Sequence, residues 1–93
     1  MAKRPVKVSI AYCASCGYEP QTLELASALM KEFVYDLSSI ELIPWEEGSF
    51  DVVVDGELVH SMYREGGFPE PDTIINAVQA RLKGEDQRIG ITG

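Results

Sequence analysis

Residues 6–20, VKVSIAYCASCGYEP, decide the fold. The first seven of them carry apolar side chains at every second position, which is the period of a β-strand. Cys13 and Cys16 follow this strand and are separated by two residues. Because a proline is tolerated only in the first turn of a helix, Pro20 predicts a helix that begins within a few residues of Cys16. The segment therefore predicts a strand, a C-x-x-C loop and a helix in direct succession.

The residues that follow extend this unit into a parallel pair of strands. From residue 21 to residue 34, polar side chains fall on one side of a helix and a broad apolar stripe falls on the other. Residues 39–43 then have the pattern of a second strand, which Pro44 is expected to end. A strand–helix–strand unit makes its two strands parallel, with a right-handed crossover between them.

The second half of the chain predicts a hairpin and a final helix. Residues 50–54 and 58–63 flank the dipeptide Asp55-Gly56, which supplies the positive φ angles of a tight hairpin turn. Residues 66–71 form a loop, and a helix over residues 71–83 is expected to stop at Gly84. The order β-α-β-β-β-α, with a mixed four-stranded sheet and two helices, is the plan of a thioredoxin-like α/β fold.

Length and composition restrict the class of protein. With 93 residues the chain has room for a single core, so residues 1–84 are predicted to form one domain and residues 85–93 a frayed tail. No apolar stretch approaches the ~18–20 residues of a membrane span. Eight Lys and Arg against fifteen Asp and Glu give a formal charge of -7, which argues against nucleic acid or an anionic membrane as the partner. Two cysteines are too few for a disulfide-framed secreted scaffold, so a reducing cytoplasm is the expected location.

The cysteine pair has the spacing and position of a redox centre. A thiol attacks only as its thiolate, and a free cysteine with a pKa near ~8.5 is mostly protonated at neutral pH. The unpaired N–H groups at the start of a helix favour the anion. One sulfur of the pair can attack a disulfide while the other resolves the mixed disulfide. The residues expected to shape the approach to the two sulfurs are Tyr12, Ala14, Ser15, Gly17, Tyr18 and Trp45.

Two other interpretations of the pair stay open. A structural zinc site needs four ligands, and beyond the two cysteines only His60 remains, so a metal is expected only if two protomers share it. A lone histidine in a hairpin is more often a packed core residue than a catalyst. The chain could also be a binding module, or a redox sensor without turnover, whose contact surface lies between the cysteine loop, Trp45 and the loop of residues 66–71. Apart from such a shared metal, no cofactor is expected.

Residues 12–20, YCASCGYEP, resemble the active-site segment of the selenoprotein W family, part of the selenoprotein W/T/H (Rdx) group of thioredoxin-like proteins. Residues 48–52 and 56–61 resemble that family's hairpin, and residues 65–68 resemble its following loop. The likeness extends over about residues 6–82. It implies a thioredoxin-like fold and a thiol-based redox role, with protein thiols or disulfides and glutathione as partners.

The resemblance leaves two candidates for the attacking cysteine. Thioredoxins attack with an exposed first cysteine, which would be Cys13, whereas the selenocysteine of family members stands at the position of Cys16. We take Cys13 as the nucleophile and Cys16 as the resolving thiol. The chain departs from the family twice. A thiol at Cys16 is less acidic than a selenol, which weakens the case for peroxide chemistry. The stretch after Ser61, often rich in lysine in the family, is Met62-Tyr63-Arg64 here.

Overall fold

The structure is a computed structural model that describes the backbone of residues 6–92 and the side chains of residues 6–83. Its strands are β1 (Val6–Cys13), β2 (Leu37–Trp45), β3 (Phe50–Val54) and β4 (Glu57–Ser61). Its α-helices are α1 (Glu19–Glu32), α2 (Met62–Glu65) and α3 (Pro71–Thr92), and a single 3₁₀ turn (Ala14–Cys16) precedes α1. The predicted order of the main elements is confirmed.

The four strands form one mixed sheet in the order β2-β1-β3-β4. Strand β1 pairs in parallel with β2 and antiparallel with β3, and β3 pairs antiparallel with β4. The predicted parallel pair extended by an antiparallel hairpin is therefore confirmed. Because β2 and β3 lie on opposite sides of β1, their short connection has to cross the end of β1.

One face of the sheet forms the core. Helices α1 and α3 contact each other and pack on the same face. The buried apolar residues of this core are Val6, Val8, Ile10, Leu25, Ala26, Leu29, Phe33, Phe50, Val52, Val54, Ile74 and Val78. The alternate residues of β1, Lys7, Ser9 and Ala11, point to the other face, and none of them is buried. The two-residue period of β1 thus separates the core from the open face.

Strand β2 is longer than predicted, because Pro44 lies inside it instead of ending it. A proline removes a hydrogen-bond donor from the ladder, and this is tolerated where one side of the strand has no neighbour. Strand β2 is an edge strand of the sheet, so it can accommodate Pro44 and continue to Trp45. As a result, Trp45 pairs in register with Cys13.

The hairpin turn forms as predicted, but its second strand is shorter. Asp55 and Gly56 have φ angles of 51° and 85°, the two positive values that this turn requires. The prediction that β4 reaches residue 63 is wrong. Ser61 already pairs with Asp51, next to the first residue of β3, so the chain runs out of partner strand and turns into α2.

The last helix is longer than the predicted helix, and its predicted end at Gly84 is wrong. A single glycine inside a helix costs only about 1 kcal/mol relative to alanine, so it does not by itself end one. The side chains of residues 85–93, predicted to form a frayed tail, lie outside the described part.

Helix α3 contacts the hairpin through an ion pair, in which Nε of Arg81 lies 3.5 Å from Oδ2 of Asp55. Neither α3 nor any other helix among the described residues has the length and apolar character needed to cross a bilayer.

Leu29 and Leu23 offer a matched test of this core, since both lie in α1 but only Leu29 is buried, at 0% against 58% exposed. We expect Leu29→Ala to lower the free energy of unfolding by about 2–5 kcal/mol, because it leaves a cavity in the core. Leu23→Ala should change it by less than about 1 kcal/mol. Urea unfolding of the oxidised protein measures both, and equal losses would contradict the assigned core.

Candidate functional site

Cys13 and Cys16 are joined by a disulfide bond, with their Cα atoms 5.4 Å apart. Cys13 is the last residue of β1 and Cys16 is the last residue of the 3₁₀ turn that follows it. Helix α1 begins three residues after Cys16, at Glu19, with Pro20 in its first turn. The predicted succession of strand, C-x-x-C loop and helix is therefore confirmed, and the two sulfurs are close enough to bond to each other.

The two cysteines differ sharply in exposure. Cys13 is 0% exposed, whereas Cys16 is exposed. The expectation that Cys13 is the accessible thiol is therefore wrong. Cys13 lies within the sheet: it pairs with Trp45 on one side, and on the other its backbone N–H donates a 2.8 Å hydrogen bond to the carbonyl of Ser49. Cys16 lies beyond the end of the sheet, in the 3₁₀ turn.

A tight turn over residues 46–49, which we call the β2–β3 turn, lies against the disulfide. The backbone N–H and the hydroxyl of Ser49 both donate to the carbonyl of Glu46, at 3.1 and 2.6 Å. Gly48 has a φ of 78°, and no other described residue of the turn has a positive φ. A positive φ confined to the third position is the signature of a type II turn, which favours glycine there.

The β2–β3 turn supplies a hydrogen-bond donor to the exposed sulfur. The N–H of Gly48 donates to Sγ of Cys16 at 3.4 Å. A thiolate is charged and accepts a hydrogen bond more strongly than a disulfide sulfur does, so this donor favours the thiolate form of Cys16. The sequence suggested helix α1 as the source of such donors, but the donor observed comes from a turn 32 residues further along the chain.

Tyr63, in α2, is a second residue that the sequence did not single out for the site. Its hydroxyl donates a 2.6 Å hydrogen bond to the carbonyl of Glu47, in the β2–β3 turn. No local pattern around Tyr63 predicts this contact, because it depends on β4 ending at Ser61 and on the turn that follows.

The residues predicted to shape the approach to the sulfurs divide into two groups. Ala14, Ser15, Gly17 and Trp45 are exposed, whereas Tyr12 and Tyr18 are half-buried and pack against the core. The ring of Tyr18 meets the edge of the Phe68 ring, with centroids 4.8 Å apart. The two tyrosines are therefore less accessible than the other four residues.

The remaining candidates lie away from the disulfide. His60 is a packed core residue, and its Nε2 lies 2.7 Å from the carbonyl of Gly67. A cavity of about 210 Å³ beside the loop of residues 66–71 is lined by neither cysteine nor by Trp45. Within residues 6–83, no group of three or more His, Cys, Asp and Glu side chains is arranged to hold a metal ion.

Comparison with known proteins gives the family. The model of the Rdx family matches residues 7–80. Migration and invasion enhancer 1 of Bos taurus is 36% identical over 80 residues, which cover 86% of this chain and 68% of that protein. Selenoprotein W of Danio rerio is 33% identical over 79 residues, covering 84% of this chain and 92% of that protein.

Solved structures of similar proteins share the fold. A selenoprotein W-related protein from Vibrio cholerae superposes with a TM-score of 0.82 at 24% identity, covering 85% of this chain and 99% of that one. A protein from Bordetella parapertussis superposes with a TM-score of 0.81 at 28% identity, covering 85% and 100%. The predicted thioredoxin-like α/β fold is therefore confirmed.

The difference in exposure predicts different reactivity in the reduced protein. We expect iodoacetamide to alkylate Cys16 faster than Cys13 by about an order of magnitude or more, because a buried thiol is inert. Brief alkylation followed by peptide mass spectrometry measures the two rates in one sample. Equal labelling of the two cysteines, under conditions where circular dichroism shows the fold intact, would contradict the assigned burial of Cys13.

Proposed function

We propose that this chain, which belongs to the Rdx family, is a thiol–disulfide redox protein that alternates between the Cys13–Cys16 disulfide and the dithiol. The observation that carries the proposal is the asymmetry of the bonded pair: one sulfur is buried and the other is exposed and accepts a backbone hydrogen bond. A disulfide with one accessible sulfur can be attacked at one atom only. That arrangement suits exchange with an external partner.

In the reductive direction the attack falls on Cys16. An incoming thiolate bonds to Sγ of Cys16, the Cys13–Cys16 bond breaks, and Cys13 leaves with the electron pair and takes up a proton. A second external thiol loses its proton and attacks the partner sulfur of the mixed disulfide, and Cys16 leaves with the electron pair and takes up the second proton. Two external thiols are oxidised to one disulfide, and the pair gains two electrons and two protons.

In the oxidative direction the same atoms act in reverse order. The Cys16 thiolate attacks a partner disulfide and releases one partner thiolate. Cys13, deprotonated, then attacks Sγ of Cys16 and releases the second. This exchanges the roles assigned from the sequence: Cys16 is the nucleophile and Cys13 the resolving thiol. The burial of Cys13 supports this, because a resolving thiol needs to reach only its neighbour.

The charge beside Cys16 favours a protein disulfide over glutathione as the partner. Glu46 and Glu47 are exposed in the turn whose Gly48 contacts the Cys16 sulfur. Glutathione disulfide carries net negative charge, so these carboxylates repel it, whereas a basic protein surface is attracted. A reducing cytoplasm would supply the thiols that reduce the Cys13–Cys16 disulfide.

Salt dependence tests this preference. The rate at which the reduced protein reacts with glutathione disulfide should rise about two- to fivefold between low salt and ~0.5 M salt, because the ions screen the repulsion. Hydroxyethyl disulfide, which is uncharged, serves as the matched control and should show no such rise. The double variant Glu46→Gln/Glu47→Gln should weaken the salt effect, because it removes the two carboxylates of the turn beside Cys16. A rate with glutathione disulfide that is independent of salt would contradict the electrostatic preference.

A pair of single-cysteine variants tests the redox proposal and the order of attack. Cys13→Ser should accumulate a stable mixed disulfide on Cys16 when treated with glutathione disulfide, because no resolving thiol remains. Cys16→Ser should accumulate far less, since its one thiol is buried. Intact-protein mass spectrometry reads the added glutathione directly.

Two other results would contradict either the order of attack or the redox proposal itself. Preferential trapping on Cys13 would reverse the assigned roles. The absence of trapping on either cysteine, together with a wild-type protein that never forms the internal disulfide, would overturn the redox proposal and favour a binding module.

A further inference from the structure

Two hydrogen bonds meet on one peptide group of the β2–β3 turn, the unit that joins Glu47 to Gly48. Its carbonyl accepts the hydroxyl of Tyr63 at 2.6 Å, and its N–H donates to Sγ of Cys16 at 3.4 Å. The described peptide bonds include no cis bond. In a planar trans peptide the carbonyl and the N–H point in opposite directions, so the direction of one determines the direction of the other.

We propose that Tyr63 is a positioning residue for the redox pair, and that by binding the Glu47 carbonyl it aims the Gly48 N–H at the Cys16 sulfur. The inference rests on the redox function proposed above and adds to it a residue that controls the reduced form. Tyr63 makes no hydrogen bond to the sulfur of Cys13 or Cys16. Its effect passes through a single peptide group.

The turn needs such a restraint because it has an alternative conformation. Type I and type II turns differ mainly by a rotation of the central peptide, which reverses the directions of its carbonyl and N–H. Glycine at the third position allows φ of either sign at little cost, so the residue type alone does not select between the two turns. In the type I form the Gly48 N–H would point away from Cys16. The Tyr63 hydroxyl bond favours the observed type II form.

The position of Tyr63 makes the inference easy to test. Its side chain is 68% exposed, so replacing it by phenylalanine removes one oxygen atom without leaving a cavity in the core. Tyr35 is 92% exposed, and its hydroxyl makes no hydrogen bond to any of residues 6–83, so Tyr35→Phe is a control that removes the same hydroxyl away from the site.

Loss of the hydroxyl should disfavour the reduced protein. The Gly48 N–H stabilises the Cys16 thiolate more than it stabilises the disulfide, so the dithiol loses stability when the N–H turns away. We expect Tyr63→Phe to shift the equilibrium with glutathione about fivefold toward the disulfide, which for a two-electron couple is about 20 mV toward more negative potential. Tyr35→Phe should match the wild type.

A second measurement does not depend on redox cycling. In the Cys13→Ser background the rate of Cys16 alkylation is followed against pH, with and without Tyr63→Phe. The midpoint of this profile should move up by about 0.7 pH unit, which is the same fivefold change. A purely structural role for Tyr63 would lower the melting temperature and leave this midpoint unchanged.

The two measurements separate the two proposals. Coincident alkylation profiles with and without the Tyr63 hydroxyl would overturn the positioning role, whatever the protein does with glutathione. A wild-type protein that cannot be titrated between dithiol and disulfide would overturn the redox function, while the alkylation profiles would still decide the role of Tyr63.

Discussion

The site depends on the order of three strands. Strand β1 lies between β2, which runs parallel to it, and β3, which runs antiparallel. Strand β2 therefore ends, and β3 begins, at the same end of the sheet at which β1 ends in Cys13. The connection between them spans two strand spacings, about 10 Å, in only a few residues, so it passes directly over that end. The resulting turn accepts a hydrogen bond from the backbone of Cys13 and brings a backbone donor to Cys16.

The two cysteines of the disulfide differ in their position relative to the sheet. Two cysteines three residues apart on a free loop would be about equally accessible. Here the ladder continues through Cys13 to Ser49 and Trp45, whereas Cys16 lies beyond it, and Cys13 is buried while Cys16 is exposed. The asymmetry is thus a property of the sheet, and it determines which sulfur can exchange with another molecule.

Much of this architecture could be predicted because it follows from patterns of neighbouring residues in the sequence. The period of β1, the proline at the start of α1 and the Asp55-Gly56 turn each act within a few residues. What the sequence could not give directly were contacts between distant segments. The backbone N–H of Cys13 is bonded to Ser49, and the donor to Cys16 comes from Gly48, 32 residues away. Neither follows from periodicity, since both require the register of β1 against its two neighbours.

The dependence on distant contacts also explains why the predicted ends of β2 and β4 were wrong. Pro44 signals a strand end locally, but the edge position of β2 removes the penalty. Residues 62 and 63 have a strand-like pattern, but the pairing of β4 with β3 ends at Ser61. The consequence reaches the site, because the early end of β4 is what brings Tyr63 to the β2–β3 turn.

The most direct test of the central claim is to equilibrate the wild-type protein in glutathione buffers of graded ratio and to count its free thiols by alkylation and mass spectrometry. We expect one transition in which both thiols are lost together and a Cys13–Cys16 linkage appears in the peptide map. A protein that retains both free thiols at every ratio, or that takes up glutathione without ever linking Cys13 to Cys16, would contradict it.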